Sequence, residues 1–193
     1  MLRSFDTSLA LSDDGREVLG CVVPFGQVAR IHERTLDGTV DEYEEEFAPG
    51  CTARIRQDAA RARNGWPSWV RFTLDHERSL DHQIGFCTSL VETEAGAFGT
   101  FKLHADPYRL DKIRSMLEES HSGLSVEFTD IARHPDTGPL RVRRQIQLAA
   151  VSATPIPVYA DARVLAVRAE DVELVPASTP NLDAVRALLA RVQ

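Results

Sequence analysis

Leu124-Ser125-Val126-Glu127-Phe128-Thr129 alternates apolar and polar side chains without a break. A period of two puts Leu124, Val126 and Phe128 on one face and Ser125, Glu127 and Thr129 on the other. That is the pattern of a strand with one face on a core. Trp69-Val70-Arg71-Phe72-Thr73-Leu74 repeats it, with Val70, Phe72 and Leu74 facing inward and Arg71 and Thr73 outward. Further strands are expected over 17–23, which Pro24-Phe25-Gly26 breaks, and around 84–91, 97–104, 142–152 and 163–168.

Helices are fewer. The Ala- and Arg-rich stretch carrying Arg54, Arg56, Arg61 and Arg63 closes at Asn64-Gly65, a plausible C-terminal stop. Its thin apolar stripe predicts a helix on the surface. Asp106-Pro107 supplies an N-cap and a first helical position, and Leu110, Ile113 and Leu117 follow at helical spacing. Another helix is expected from Pro180-Asn181, with Leu182, Val185, Leu188, Leu189 and Val192 along one side. Between Asp37 and Glu46 lie Asp37, Asp41, Glu42, Glu44, Glu45 and Glu46 without a base, which reads as a solvated loop or edge. The fold class is therefore mostly β with short helices. Residues 1–15 form a flexible start, 16–168 one domain, and 169–193 a helical C-terminal tail.

Composition narrows the functional classes. The chain has 193 residues, 43% hydrophobic and 26% charged, which suits one globular domain. Net charge is −7, from 22 basic and 29 acidic residues, so nucleic acid is not an expected partner. No apolar run approaches the roughly 20 residues that cross a bilayer, and the opening MLRSFDTSLALSDDGREVLG lacks a signal-peptide pattern. Neither a membrane nor export is expected. Cys21, Cys51 and Cys87 are widely spaced, make no CxxC pair, and read as buried or half-buried thiols in a reducing compartment.

Two segments hold residues suited to chemistry. In LDHERSLDHQIG (74–85), His76 and His82 stand where a strand turns, with Asp75, Glu77 and Asp81 close by. A metal could use such a set, but H-E-x-x-H would need histidine where Leu80 stands, and a third ligand would have to come from elsewhere. In SHSGLSVEF (120–128), Ser125 sits just inside a strand after a glycine turn. GLSVE is not a G-x-S-x-G elbow, because Leu124 precedes the serine and Glu127 replaces the second glycine. Such a serine is a nucleophile where an imidazole takes its proton, and otherwise a solvated hydroxyl. A further segment, RRQIQLAAVSATPIP (143–157), reads as a core strand running into a proline-broken turn.

In order, REVLGCVVPFGQVA, EEFAPGC, LDHE…IG, the helix, GLSVEF and the strand through LAAVS resemble the prohead proteases of tailed bacteriophages over roughly residues 16–168. The resemblance implies a β-barrel of about six to seven strands, similar to the herpesvirus maturation protease. It implies a serine endopeptidase that cleaves scaffold segments of capsid proteins, its own tail among the candidates, inside the immature capsid in the bacterial host's cytoplasm. His76 matches the general base and Ser125 the nucleophile, with neither metal nor organic cofactor. The capsid protein or its scaffold segment is the implied substrate, and a homodimer or higher oligomer the implied state. The family's L-x-E-V-S reads Leu148-Ala149-Ala150-Val151-Ser152 here, so Ala150 stands in place of the orienting acid. Glu127 and His82 are the candidates for a third member. An inactive assembly protein that retains the fold is the alternative reading.

Overall fold

The computed structural model describes residues 16–34, 37–77, 79–104, 107–131 and 139–166. Twelve elements follow in chain order: β1 (Glu17–Pro24), β2 (Val28–Arg34), β3 (Val40–Phe47), α1 (Ala53–Arg61), β4 (Arg71–Leu74), β5 (Gln83–Thr93), β6 (Gly96–Leu103), α2 (Pro107–Glu119), β7 (Gly123–Asp130), β8 (Leu140–Arg143), β9 (Ile146–Thr154) and β10 (Arg163–Ala166). Seven strands close into a barrel in the order β1-β10-β7-β9-β4-β5-β6, and β2-β3-β8 form a separate sheet. The expected barrel and its strand number are both present. The expected helix from 180, the N-cap at Asp106 and the flexible start at 1–15 lie outside the described residues.

Burial explains the closure. Phe72, Phe101, Leu103, Ile84, Leu124, Ile146 and Leu148 are all essentially inaccessible and fill the barrel and its walls. Phe72 and Phe101 stack at 4.5 Å between ring centroids. Removing side chains of this size from water stabilises the fold by about 1.5–3 kcal/mol each. Helix α1 rests on the surface, as its thin stripe predicts, with Ile55 and Ala59 as its buried contacts. Its first turn is held from afar: the Glu92 carboxylate on β5 accepts from Thr52 N (2.9 Å) and Oγ1 (2.5 Å), Gly50 N (3.1 Å) and Arg56 (3.1 Å). An acid there also complements the helix dipole.

Three expectations are corrected. The stretch 142–152 is two strands in different sheets, because β8 pairs parallel with β3 while β9 pairs with β7 and β4. From Val40 on, the acidic run is the central strand of the small sheet; Asp37, Glu42 and Glu44 are exposed as expected, but Glu45 is buried. Its charge is tolerated because Arg143 binds it at 2.8 Å and Tyr159 donates to it at 2.9 Å, while Arg143 also binds Asp130. Thr73, expected outward, is 3% exposed, covered by the site described next.

Two glycines let strands approach where side chains would collide. A Cβ on Gly85 would lie 2.4 Å from the Lys102 carbonyl oxygen. One on Gly123 would lie 2.5 Å from the Pro157 ring and 2.8 Å from the Thr154 carbonyl oxygen. The second of these opens β7, two residues before Ser125.

Candidate active site

Register brings the singled-out residues together. Ser125 on β7 lies opposite Ser152 on β9, and Ser152 lies beside Thr73 on β4. Two residues along β7, Glu127 lies opposite Ala150, which neighbours Arg71. Residues two apart on a strand project to the same face, so Ser125 and Glu127 stand side by side on one face. The floor beneath is polar but closed: Thr73 Oγ1 and the fully buried Ser152 Oγ are 2.5 Å apart.

The β4–β5 turn carries His76 onto this face. Asp75 and His76 both adopt left-handed backbone, at φ 51° and 59°. For a residue with a side chain this costs about 1–2 kcal/mol, and it persists where surrounding bonds over-determine it. Asp75 N donates to Ala153 O (3.0 Å), His76 N to Ser152 Oγ (3.2 Å) and Glu77 N to Leu74 O (3.0 Å). The buried Ser152 hydroxyl thus seats the backbone of the histidine across the sheet.

His76 Nδ1 lies 3.3 Å from Glu127 Oε1, with the imidazole 42% exposed and the carboxylate 18%. The second candidate for that place is elsewhere: His82 Nδ1 meets Ser79 Oγ at 2.8 Å, within its own loop. Among the described residues no hydrogen bond joins the His76 ring to Ser125, which is half-buried on the same face. Reactive hydrogen bonds are commonly long before substrate arrives. A second imidazole–carboxylate couple adjoins the first, with His121 Nε2 3.2 Å from Asp75 Oδ2 and Ser120 Oγ 2.8 Å from His121 Nδ1.

The three thiols are poor nucleophiles. Cys21, Cys51 and Cys87 are buried, as expected from the sequence, and burial pushes each thiol up to about 12. At neutral pH they stay protonated. Among the described residues no group of three or more His, Cys, Asp or Glu side chains is arranged to hold a metal ion.

The structure brings the sequence candidates His76 and Glu127 together and sets Ser125 on the same face, and it adds Ser152, Thr73 and His121, which sequence reasoning did not single out. A signal for Ser152 was present, since it closes the L-x-E-V-S segment. His121 carried none, and Asp75, noted beside His76, gave no sign of its partner, because only the folded chain brings positions 75 and 121 together.

Known proteins can now be set beside this geometry. The family described as caudovirus prohead serine protease matches residues 6–177. Among curated proteins no match reaches significance. The chain is similar to Kaposi's sarcoma-associated herpesvirus protease in complex with a hexapeptide phosphonate inhibitor, at 15% identity and a TM-score of 0.41, covering 77% of this chain. This chain spans 63% of that one. In a complex of the same herpesvirus protease with an allosteric inhibitor, identity is 15% and the TM-score 0.42, over 91% of this chain and 88% of the other.

Proposed function

We propose, because this chain belongs to the caudovirus prohead serine protease family, that it is a serine endopeptidase acting inside the immature phage capsid within the bacterial host. Its substrates are scaffold segments of the capsid protein, and its own tail is a further target. It works as a homodimer or higher oligomer, the state the sequence resemblance implies.

Ser125 attacks the scissile carbonyl, His76 takes the serine proton and returns it to the leaving amine, and water then releases the acyl group. Glu127 orients the base. The observation that carries this reading is the 3.3 Å approach of His76 Nδ1 to Glu127. A carboxylate there favours the tautomer with the proton on Nδ1 and leaves Nε2 free to accept. Residues i and i+2 of a strand are separated by about 7 Å. An imidazole with a hydrogen bond of roughly 2.8 Å at each nitrogen spans that gap. The acid absent at Ala150 is thus supplied from the facing position of the neighbouring strand. Backbone N–H groups serve as the oxyanion donors.

A serine-directed fluorophosphonate tests the assignment. Wild-type protein and Ser122→Ala become labelled, and Ser125→Ala does not. Ala150 favours the other reading, a catalytically silent assembly protein that keeps the fold. Folded wild-type protein that takes no label would establish that alternative.

A further inference from the structure

We infer that Asp75 and His121 are positioning residues, a clasp that holds the base-bearing turn in register with the nucleophile strand; this rests on the assignment of His76 and Ser125 above. The turn contributes Asp75 and His76, and the chain entering and running along β7 contributes His121 and Glu127. Each side therefore gives one imidazole and one carboxylate to the other: His76 to Glu127 at 3.3 Å, and His121 to Asp75 at 3.2 Å. In sequence, His121 and Glu127 flank Ser125.

One contact cannot fix the His76 ring, because a single hydrogen bond leaves the turn free to pivot about it. The backbone bonds of the turn run to Ala153 and Ser152 on β9 and to Leu74 within the turn itself. Those bonds set its height over the sheet. The two side-chain couples reach β7 and its lead-in, so they set its distance from the nucleophile. The left-handed backbone at 75 and 76 is what lets adjacent residues send side chains to both attachment points. His121 is itself held: its side chain is 15% exposed, and Ser120 Oγ engages its other nitrogen at 2.8 Å. A clasp built on a fixed imidazole can transmit position.

Fluorophosphonate labelling rates and the nitrogen NMR signals of the His76 ring test this together. His121→Ala and Asp75→Ala each slow labelling by about 10²-fold, the scale of a catalytic group displaced by an ångström. The double variant is no slower than either single one, because both remove the same contact. Asp75→Asn tolerates left-handed backbone and keeps an acceptor, so it recovers most of the rate lost in Asp75→Ala, and it serves should the alanine variants not fold. In a Ser125→Ala background, His121→Ala displaces the His76 ring signals. Labelling within about twofold of wild type, or single effects that multiply in the double variant, would overturn the clasp. No recovery in Asp75→Asn would do the same. Should wild type take no label, the peptidase assignment fails by itself. The ring signals then still decide the clasp, and unchanged signals in His121→Ala reject it.

Discussion

Glu45 with Arg143 and Glu127 with His76 each set an acid from one strand against a base from another segment, and they differ in what is left over. Where the small sheet meets the barrel, Arg143 binds Glu45, Asp130 and the Tyr43 hydroxyl, and Tyr159 completes Glu45. The Arg143 and Glu45 side chains are 12% and 5% exposed. At the outer face of β4, β9 and β7, His76 meets Glu127 with a ring almost half in solvent and a second nitrogen that no described residue engages. A charge pair bound on several sides in a largely buried joint holds architecture. One with a ring nitrogen left open on an accessible face suits the base proposed at His76. The surplus capacity, rather than the pairing, separates the two.

The sharpest way to break this contrast is at Glu127. Glu127→Ala lowers the fluorophosphonate labelling rate by about 10⁴-fold, the cost of losing the orienting acid of a serine triad. The melting temperature barely moves, because an exposed pair stabilises little. Adding Ala150→Glu to that variant returns a carboxylate from the facing strand and recovers part of the rate. No recovery would mean that Glu127 acts by something other than its charge.

The joint responds in the opposite sense. Glu45→Ala removes one of the two carboxylates that hold the half-buried Arg143 and leaves the buried Tyr159 hydroxyl without its carboxylate, at a cost of about 1–3 kcal/mol, read as a lower midpoint in urea. The labelling rate of the folded fraction is unchanged. The cysteines then report which part opens. Burial raises each thiol from 9.0 to about 12, three pH units, so the native protein holds roughly 10³-fold less thiolate than unfolded chain at pH 8 and alkylates correspondingly slowly. As pH climbs through 9 the unfolded chain sheds these protons while the folded chain keeps them until about 12. Stability therefore falls across that window. In Glu45→Ala, Cys51, whose carbonyl binds Ile146 N beside the joint, reacts before Cys87 within the barrel wall. Equal rates would show that joint and barrel open as one unit. An effect of similar size is expected at Glu92→Ala, which strands the buried Thr52 donors and costs about 1–3 kcal/mol with no change in labelling.

Much of the barrel is legible in the chain because strands write a two-residue alternation that needs no knowledge of their partners. The segments 71–74 and 124–129 are found this way, and α1 and α2 are found from a stop signal and a stripe at helical spacing. The method fails where alternation is absent or where charge misleads. β3 carries Glu42, Glu44, Glu45 and Glu46 and looks solvated, yet Glu45 is buried because Arg143, nearly a hundred residues on, binds it. The turn between β8 and β9 occupies so few residues that 142–152 reads as one strand, although its halves join different sheets.

The site divides along the same line. A histidine directly after an apolar strand and a serine just inside another are local patterns, and the order of motifs along the chain points to a family. Those are properties of neighbours in sequence, so composition and spacing suffice to express them. Which acid faces His76, and what steadies the turn that bears it, depend on the pairing of β7 with β9 and β9 with β4. Side chains some fifty residues apart become neighbours only through hydrogen-bonded strand register. Register is settled by burying one whole face of the barrel at once, so no single segment carries it.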